Sequence, residues 1–165
     1  MFERSRMELD HRDLFQARNY GTTVWGPICA GLLSGKFNDG HRPEGTRGAR
    51  AEGHPFLHGY WEKWLGKHSV EKTTKILQAL GEIAKSHGIS QSALAVAWTL
   101  ANEDTSTSIV GFTKMHYIDD NITALQLLEK WNVDLEKQIE AVLGNAPELP
   151  LNFRNWTPGV TRRPH

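Results

Sequence analysis

This chain has one cysteine, no excess of either charge and no long apolar run, and each absence removes a class of protein. A single thiol, Cys29, cannot close an internal disulfide and fits a reducing compartment. Nineteen basic and nineteen acidic residues cancel, so nothing in the bulk charge calls for nucleic acid or an anionic membrane as partner. No apolar stretch approaches the ~18 residues that a membrane-spanning helix needs, so no membrane insertion is expected. The opening residues, Met1-Phe-Glu-Arg-Ser-Arg, lack the apolar core of a secretory signal. We therefore expect a cytoplasmic protein, in which Asn121-Ile-Thr123 is a glycosylation sequon by spelling only. A metal site is not expected either. His54 and His58 suit one face of a helix, but Gly53 and Pro55 argue for a loop, and no third ligand is near. Repeats and low-complexity tracts are missing.

What is present is an ordinary globular composition: 165 residues, 39% of them hydrophobic, enough for one domain with a real core. Residues 9–19 read as a short polar helix. Thr22-Thr-Val-Trp25 is β-branched and aromatic, hence a strand. Residues 38–60 hold five of the fifteen glycines, two prolines and three histidines, and read as a long surface loop. From Val70 to His87, Ile76, Leu77, Leu80, Ile83 and Ala84 form a helical stripe that Gly88 ends. Ser90 reads as the N-cap of a second helix, Gln91 to Ala101, with Leu94, Ala97 and Trp98 on its core face. Thr107 to Gly111 reads as another strand, and Tyr117–Leu128 and Leu135–Leu143 as amphipathic helices. Residues 1–147 form one unit and 148–165 a tail, where four of the seven prolines fall between Pro147 and His165 and Arg162-Arg163 is a solvated pair. The order is α/β, with two strands separated by helices and so expected to be parallel. Two such strands do not close a sheet, and their free edges call for further strands.

The densest chemical signal is Val24-Trp-Gly-Pro-Ile-Cys-Ala-Gly-Leu-Leu-Ser-Gly-Lys-Phe37. An aromatic residue ends a strand, small residues let the backbone come close to a ligand, and Lys36 adds a positive charge, which suits an anion. A Walker A loop is excluded. Only three residues separate Gly31 from Gly35, and Phe37 stands where a magnesium-binding hydroxyl would follow Lys36.

This turn, with Pro43-Glu-Gly-Thr-Arg47, Ala95-Val-Ala-Trp-Thr-Leu100, Ile109-Val-Gly-Phe-Thr-Lys114 and Asp119-Asp-Asn121, resembles the aldo-keto reductases, in particular the branch that contains the voltage-gated potassium channel β-subunits and their fungal relatives. Leu143-Gly-Asn145 matches as well. The resemblance runs from about Met1 to Pro147 and rests on several motifs in the right order. It implies an α/β fold, the C-terminal portion of an (α/β)8 TIM barrel, here about strands seven and eight with their helices. It implies NADPH or NADP as cofactor and a small-molecule carbonyl as substrate, with a channel or a homo-oligomer as further partner classes. A full barrel takes ~200–250 residues. The family's proton-transfer Asp, Tyr, Lys and His would lie upstream, so no catalytic residue is assigned here, and this half is expected to be inactive by itself. Tyr20, Tyr60 and Tyr117 do not fall where the family's catalytic tyrosine would.

The resemblance assigns cofactor roles residue by residue. Trp25 would stack on the nicotinamide face. Gly26, Pro27, Ile28, Cys29 and Gly31 would bring backbone amides to the pyrophosphate, and Lys36 and Arg47 would offset its charge. Gly111, Thr113 and Lys114 would form the second loop, with Thr113 and Lys114 on the adenosine 2′-phosphate, a pair that favours NADPH over NADH. Tyr117, Asp120 and Asn121 would border the adenine. Three positions depart from the family pattern: Gly26 replaces a frequent Ser, Tyr117 a Gln, and Asp120 a Glu. Each residue also has a plainer reading: Trp25 as core, Lys36 and Arg47 as solvated charges, Thr113-Lys114 as a turn, Asp119-Asp-Asn121 as a helix start, and Cys29 as a small buried side chain.

Overall fold

A computed structural model of the chain describes residues 1–148. The last part of the expected tail, with Arg162-Arg163, lies outside the described residues. Two short strands, β1 (Thr22–Trp25) and β2 (Thr105–Ile109), run parallel as expected, with Trp25 opposite Ile109 and an irregularity between Thr22 and Thr23. Six α-helices complete the order: α1 (Arg12–Arg18), α2 (Pro55–Leu65), α3 (Val70–Ser86), α4 (Gln91–Leu100), α5 (His116–Leu128) and α6 (Val133–Leu143). A π-helical turn at Arg6–Asp10 precedes α1, and 3-10 turns occupy Cys29–Ser34 and Ala49–Gly53. The described fold is thus mixed α/β, mostly helical, around a two-stranded parallel sheet.

Capping chemistry explains several boundaries. The Ser90 hydroxyl accepts from the Ala93 amide and starts α4; the Asn132 side-chain Oδ1 accepts from the Leu135 amide and starts α6. Gly144, at φ 55°, ends α6 in the left-handed conformation that suits glycine. Helix α4 is the centre of the molecule. Its small residues Ala93, Ala95 and Ala97 let α3, α5, β2 and the Cys29–Ser34 turn pack closely around it. Leu77 and Leu80 of α3, Leu135 and Ile139 of α6 and Trp61 of α2 belong to the same core cluster.

The structure corrects the expected loop at 38–60. Residues from Pro55 onward form α2, with Pro55 in the first turn and the His54 ring accepting from the Leu57 amide as cap. Trp61 is completely buried and stacks at 4.7 Å on Phe37. The expected first helix at 9–19 begins earlier, as the turn at Arg6–Asp10, and the second strand is two residues nearer the N-terminus than the expected Thr107–Gly111. Trp98, read as core, packs against the core cluster but is only partly buried, and the Arg4 guanidinium lies over its ring at 5.1 Å. That guanidinium is itself held by Glu8 and Glu140.

Candidate functional site

Parallel pairing puts the C-terminal ends of β1 and β2 side by side, so the loops after both leave from one edge of the sheet. Trp25 neighbours Ile109, and Thr113 follows four residues later. Their Cα atoms therefore lie within about 19 Å, one strand spacing plus four extended residues. Trp25 itself is 78% exposed. The plain reading of this indole as core is therefore corrected, and its face is available to a ligand.

The first loop has an unusual backbone. Gly26 (φ 67°) and Gly31 (φ 101°) adopt conformations natural to glycine, and a Cβ added to either would meet only open space. Cys29 (φ 51°) and Ala30 (φ 53°) hold positive φ without being glycine. Such strain, on the order of 1–2 kcal/mol per residue, persists where the surroundings over-determine it and gathers at binding sites. What fixes it here is visible: Pro27, Leu32 and Leu33 are buried, and Ile28 and Cys29 pack their side chains against the core. Ile28 and Cys29 accordingly have only backbone to offer a ligand. Burial pushes the Cys29 thiol up from its ordinary range, and the thiol faces Tyr60; the plainer reading fits its side chain.

The second loop carries Gly111, Thr113 and Lys114, all exposed, and runs into α5. The two loops meet. Lys36 donates to the Tyr117 hydroxyl at 2.8 Å and lies 4.9 Å from the centre of its ring. The Lys36 hydrogen bond holds the Tyr117 phenol below the usual tyrosine range; the charges of Lys36 and Lys114 act in the same direction and Asp120 against them. Lys36, Lys114, Tyr117 and Asp120 therefore form one electrostatic neighbourhood.

Asp120 and Asn121 have structural duties as well. Ser90 and Ser92 both donate to Asp120 Oδ2, at 2.8 and 3.0 Å, tying α5 to the start of α4. Asn121 Nδ2 donates to the Tyr117 carbonyl, while its Oδ1 is buried without a partner. Arg47 stands apart: it is exposed, and among the described residues it forms no hydrogen bond or ion pair with the other candidate residues.

Sequence reasoning missed the support beneath the first loop. Asn38 donates to Gln91 Oε1 at 2.8 Å, and Gln78 to the Asn38 carbonyl at 2.9 Å. The Ser34 hydroxyl and Gln91 Nε2 are buried without partners. Ser34 lies inside the conspicuous turn, but no spacing rule links Asn38 to Gln91. Groups of His, Cys, Asp or Glu fit to hold a metal are missing among the described residues, and none of their helices is long and apolar enough to cross a membrane.

An open glycine backbone, an exposed indole, two converging lysines and an unsatisfied buried amide oxygen together suit an anionic ligand with flat rings. Fold and loops define an α/β protein whose candidate loops lie beyond the C-terminal ends of parallel strands, the edge where such folds bind ligands. The Aldo/keto reductase family profile matches residues 1–140, and the chain belongs to that family. It is 35% identical over 151 residues to a putative voltage-gated potassium channel subunit beta of Schizosaccharomyces pombe. It is 29% and 28% identical to probable voltage-gated potassium channel subunits beta of Oryza sativa and Arabidopsis thaliana. These alignments take in 92–93% of this chain but only 42–44% of the relatives, so the chain spans less than half their length.

Proposed function

We propose that this chain is the cofactor-holding portion of an NADPH-dependent aldo-keto reductase that reduces small carbonyl compounds, formed as the C-terminal part of an (α/β)8 barrel in a reducing, cytoplasmic compartment. The observation that carries this reading is the convergence of two loops from neighbouring strand ends, joined by Lys36 and Tyr117. Bound NADPH supplies the hydride for carbonyl reduction. This chain's residues bind and orient. The exposed Trp25 indole covers a flat ring and excludes water from one face. The open backbone around Gly26 and Gly31 admits the pyrophosphate, and Lys36 offsets its charge, with Arg47 as a second cation on its own exposed turn. Thr113 and Lys114 take the 2′-phosphate, a hydroxyl beside a cation, and Asp120 and Asn121 border the adenine edge. Proton transfer belongs to residues that this chain does not supply.

NADPH titration by quenching of tryptophan emission tests the reading. The wild-type chain should quench and saturate, Lys114→Glu should bind at least tenfold more weakly, and neither should turn over a carbonyl substrate. Equal binding by wild type and Lys114→Glu would remove the phosphate assignment.

The names of the relatives favour a second reading, in which the bound cofactor tunes association with a potassium channel. Co-purification of a channel polypeptide with the protein that carries this chain separates it from the first.

A further inference from the structure

The contact between Lys36 and Tyr117 spans 81 residues of sequence and joins the first loop to the first turn of α5, into which the second loop runs. Each end of it is anchored to the same place, the start of α4. On the lysine side, a Cβ added at Gly35 would come into contact with Gln91, and Asn38 two residues beyond Lys36 donates to Gln91 Oε1. On the tyrosine side, Asn121 grips the Tyr117 carbonyl, and Asp120 is held by Ser90 and Ser92. The His116 ring packs edge-on to the phenol at 4.3 Å. The clasp therefore closes on a rigid base.

We infer that Tyr117 is a positioning residue that sets the rate of dinucleotide release, by holding Lys36 across the mouth of the two loops; this rests on the reading of those loops as a dinucleotide site. A lysine on its four-carbon stem loses rotamer freedom when it settles on a phosphate. Tyr117 has imposed that loss already, so less is left to lose on binding. The clasp does not use up the lysine. Lys36 has three N–H donors, the phenol takes one, and two remain for phosphate oxygens. The phenol accepts from Lys36 and keeps its own O–H to donate. Release then requires the lysine to let go of phosphate while its stem stays pinned, or the clasp to open first.

Stopped-flow measurement of NADPH release from the whole chain, read by tryptophan emission, tests this in Tyr117→Phe, Lys36→Met and the double variant. Both side chains are at the surface, and unchanged far-UV circular dichroism checks that the fold persists. Losing one hydrogen bond should speed release about fivefold in Tyr117→Phe, and the double variant should release no faster than Lys36→Met alone. A second readout needs no ligand. Tyrosinate absorbance should show one tyrosine ionising below the ordinary range, and Lys36→Met should return it, with Lys114, His116 and Asp120 left in place around the phenol. Wild-type release rates in Tyr117→Phe, together with lost binding in Lys114→Glu, overturn the clasp and leave the dinucleotide reading standing. If the wild-type chain does not bind NADPH, the reading falls and the release role with it. The absorbance titration then shows separately whether Lys36 sits on Tyr117.

Discussion

Gly48 shows how little room supports the first loop. Its φ of −63° is open to any residue, so only space restricts it. A Cβ there would stand 2.9 Å from Phe37 Cε1 and 3.4 Å from Trp61 Cη2. Both rings are buried, with Phe37 2% and Trp61 0% exposed, and neither has a free direction in which to move. Gly48→Ala should therefore cost about 1–3 kcal/mol, the usual penalty of overpacking. Urea denaturation measures it; an unchanged midpoint would mean that the ring pair yields. Because Phe37 follows Lys36, the same substitution should also weaken NADPH binding. At this scale the sequence was legible where a residue has one dominant partner. The Ser90 cap is such a case, its hydroxyl accepting from the Ala93 amide as its place before Gln91 suggests. The Arg4 guanidinium over Trp98 was not legible, since it comes from 94 residues away in the sequence.

Among the elements, the helices with strong apolar periodicity were legible nearly to the residue, and α4 was placed by its serine cap. Helix α2 was not. Gly53, Gly59, Pro55 and three histidines in its neighbourhood all carry loop preferences, yet Pro55 serves the first turn and Trp61 and Leu65 supply the burial that overrides composition. The segment around Arg42 is joined to α2 through that residue, which donates to Glu62 at 2.8 Å and to the carbonyls of Trp61 and Leu65 at 3.4 Å. The Arg42 hydrogen bond holds the Glu62 carboxyl below its ordinary range. A depressed carboxyl contributes stability above the unfolded-state pKa, and that contribution fades as pH falls through the lowered folded value. Around Glu62 the link should thus be intact at neutral pH and open only in acid. Carboxyl NMR titration reads it directly: Glu62 should titrate low in wild type and return to the ordinary glutamate range in Arg42→Met, with hydrogen exchange at Arg42 to Glu44 rising in step. High salt should weaken the effect, since Glu62 is half exposed.

For the whole molecule, the parallel pairing of β1 and β2 was legible from the helices between them, and so was the edge from which the candidate loops rise. The clasp between Lys36 and Tyr117 was not, because nothing local marks a lysine and a tyrosine 81 residues apart as neighbours. The same sheet raises a problem of balance. Two parallel strands leave an unpaired backbone row on each side, and Trp25 (78%) and Ile109 (56%) are exposed at their ends. Parallel strands are ordinarily covered on both faces and paired on both sides. A two-stranded sheet gains too little from its own pairing to be stable without further cover. The chain on its own should therefore self-associate through this sheet, and more so as concentration rises. Sedimentation velocity over a concentration series tests it. Wild type should move toward dimers or larger species, while Ile109→Lys, which puts a charge at the exposed end of β2, should shift the population toward monomer without changing helix content. A wild-type chain that stays monomeric at every concentration and unfolds cooperatively would show that these edges are satisfied within the molecule.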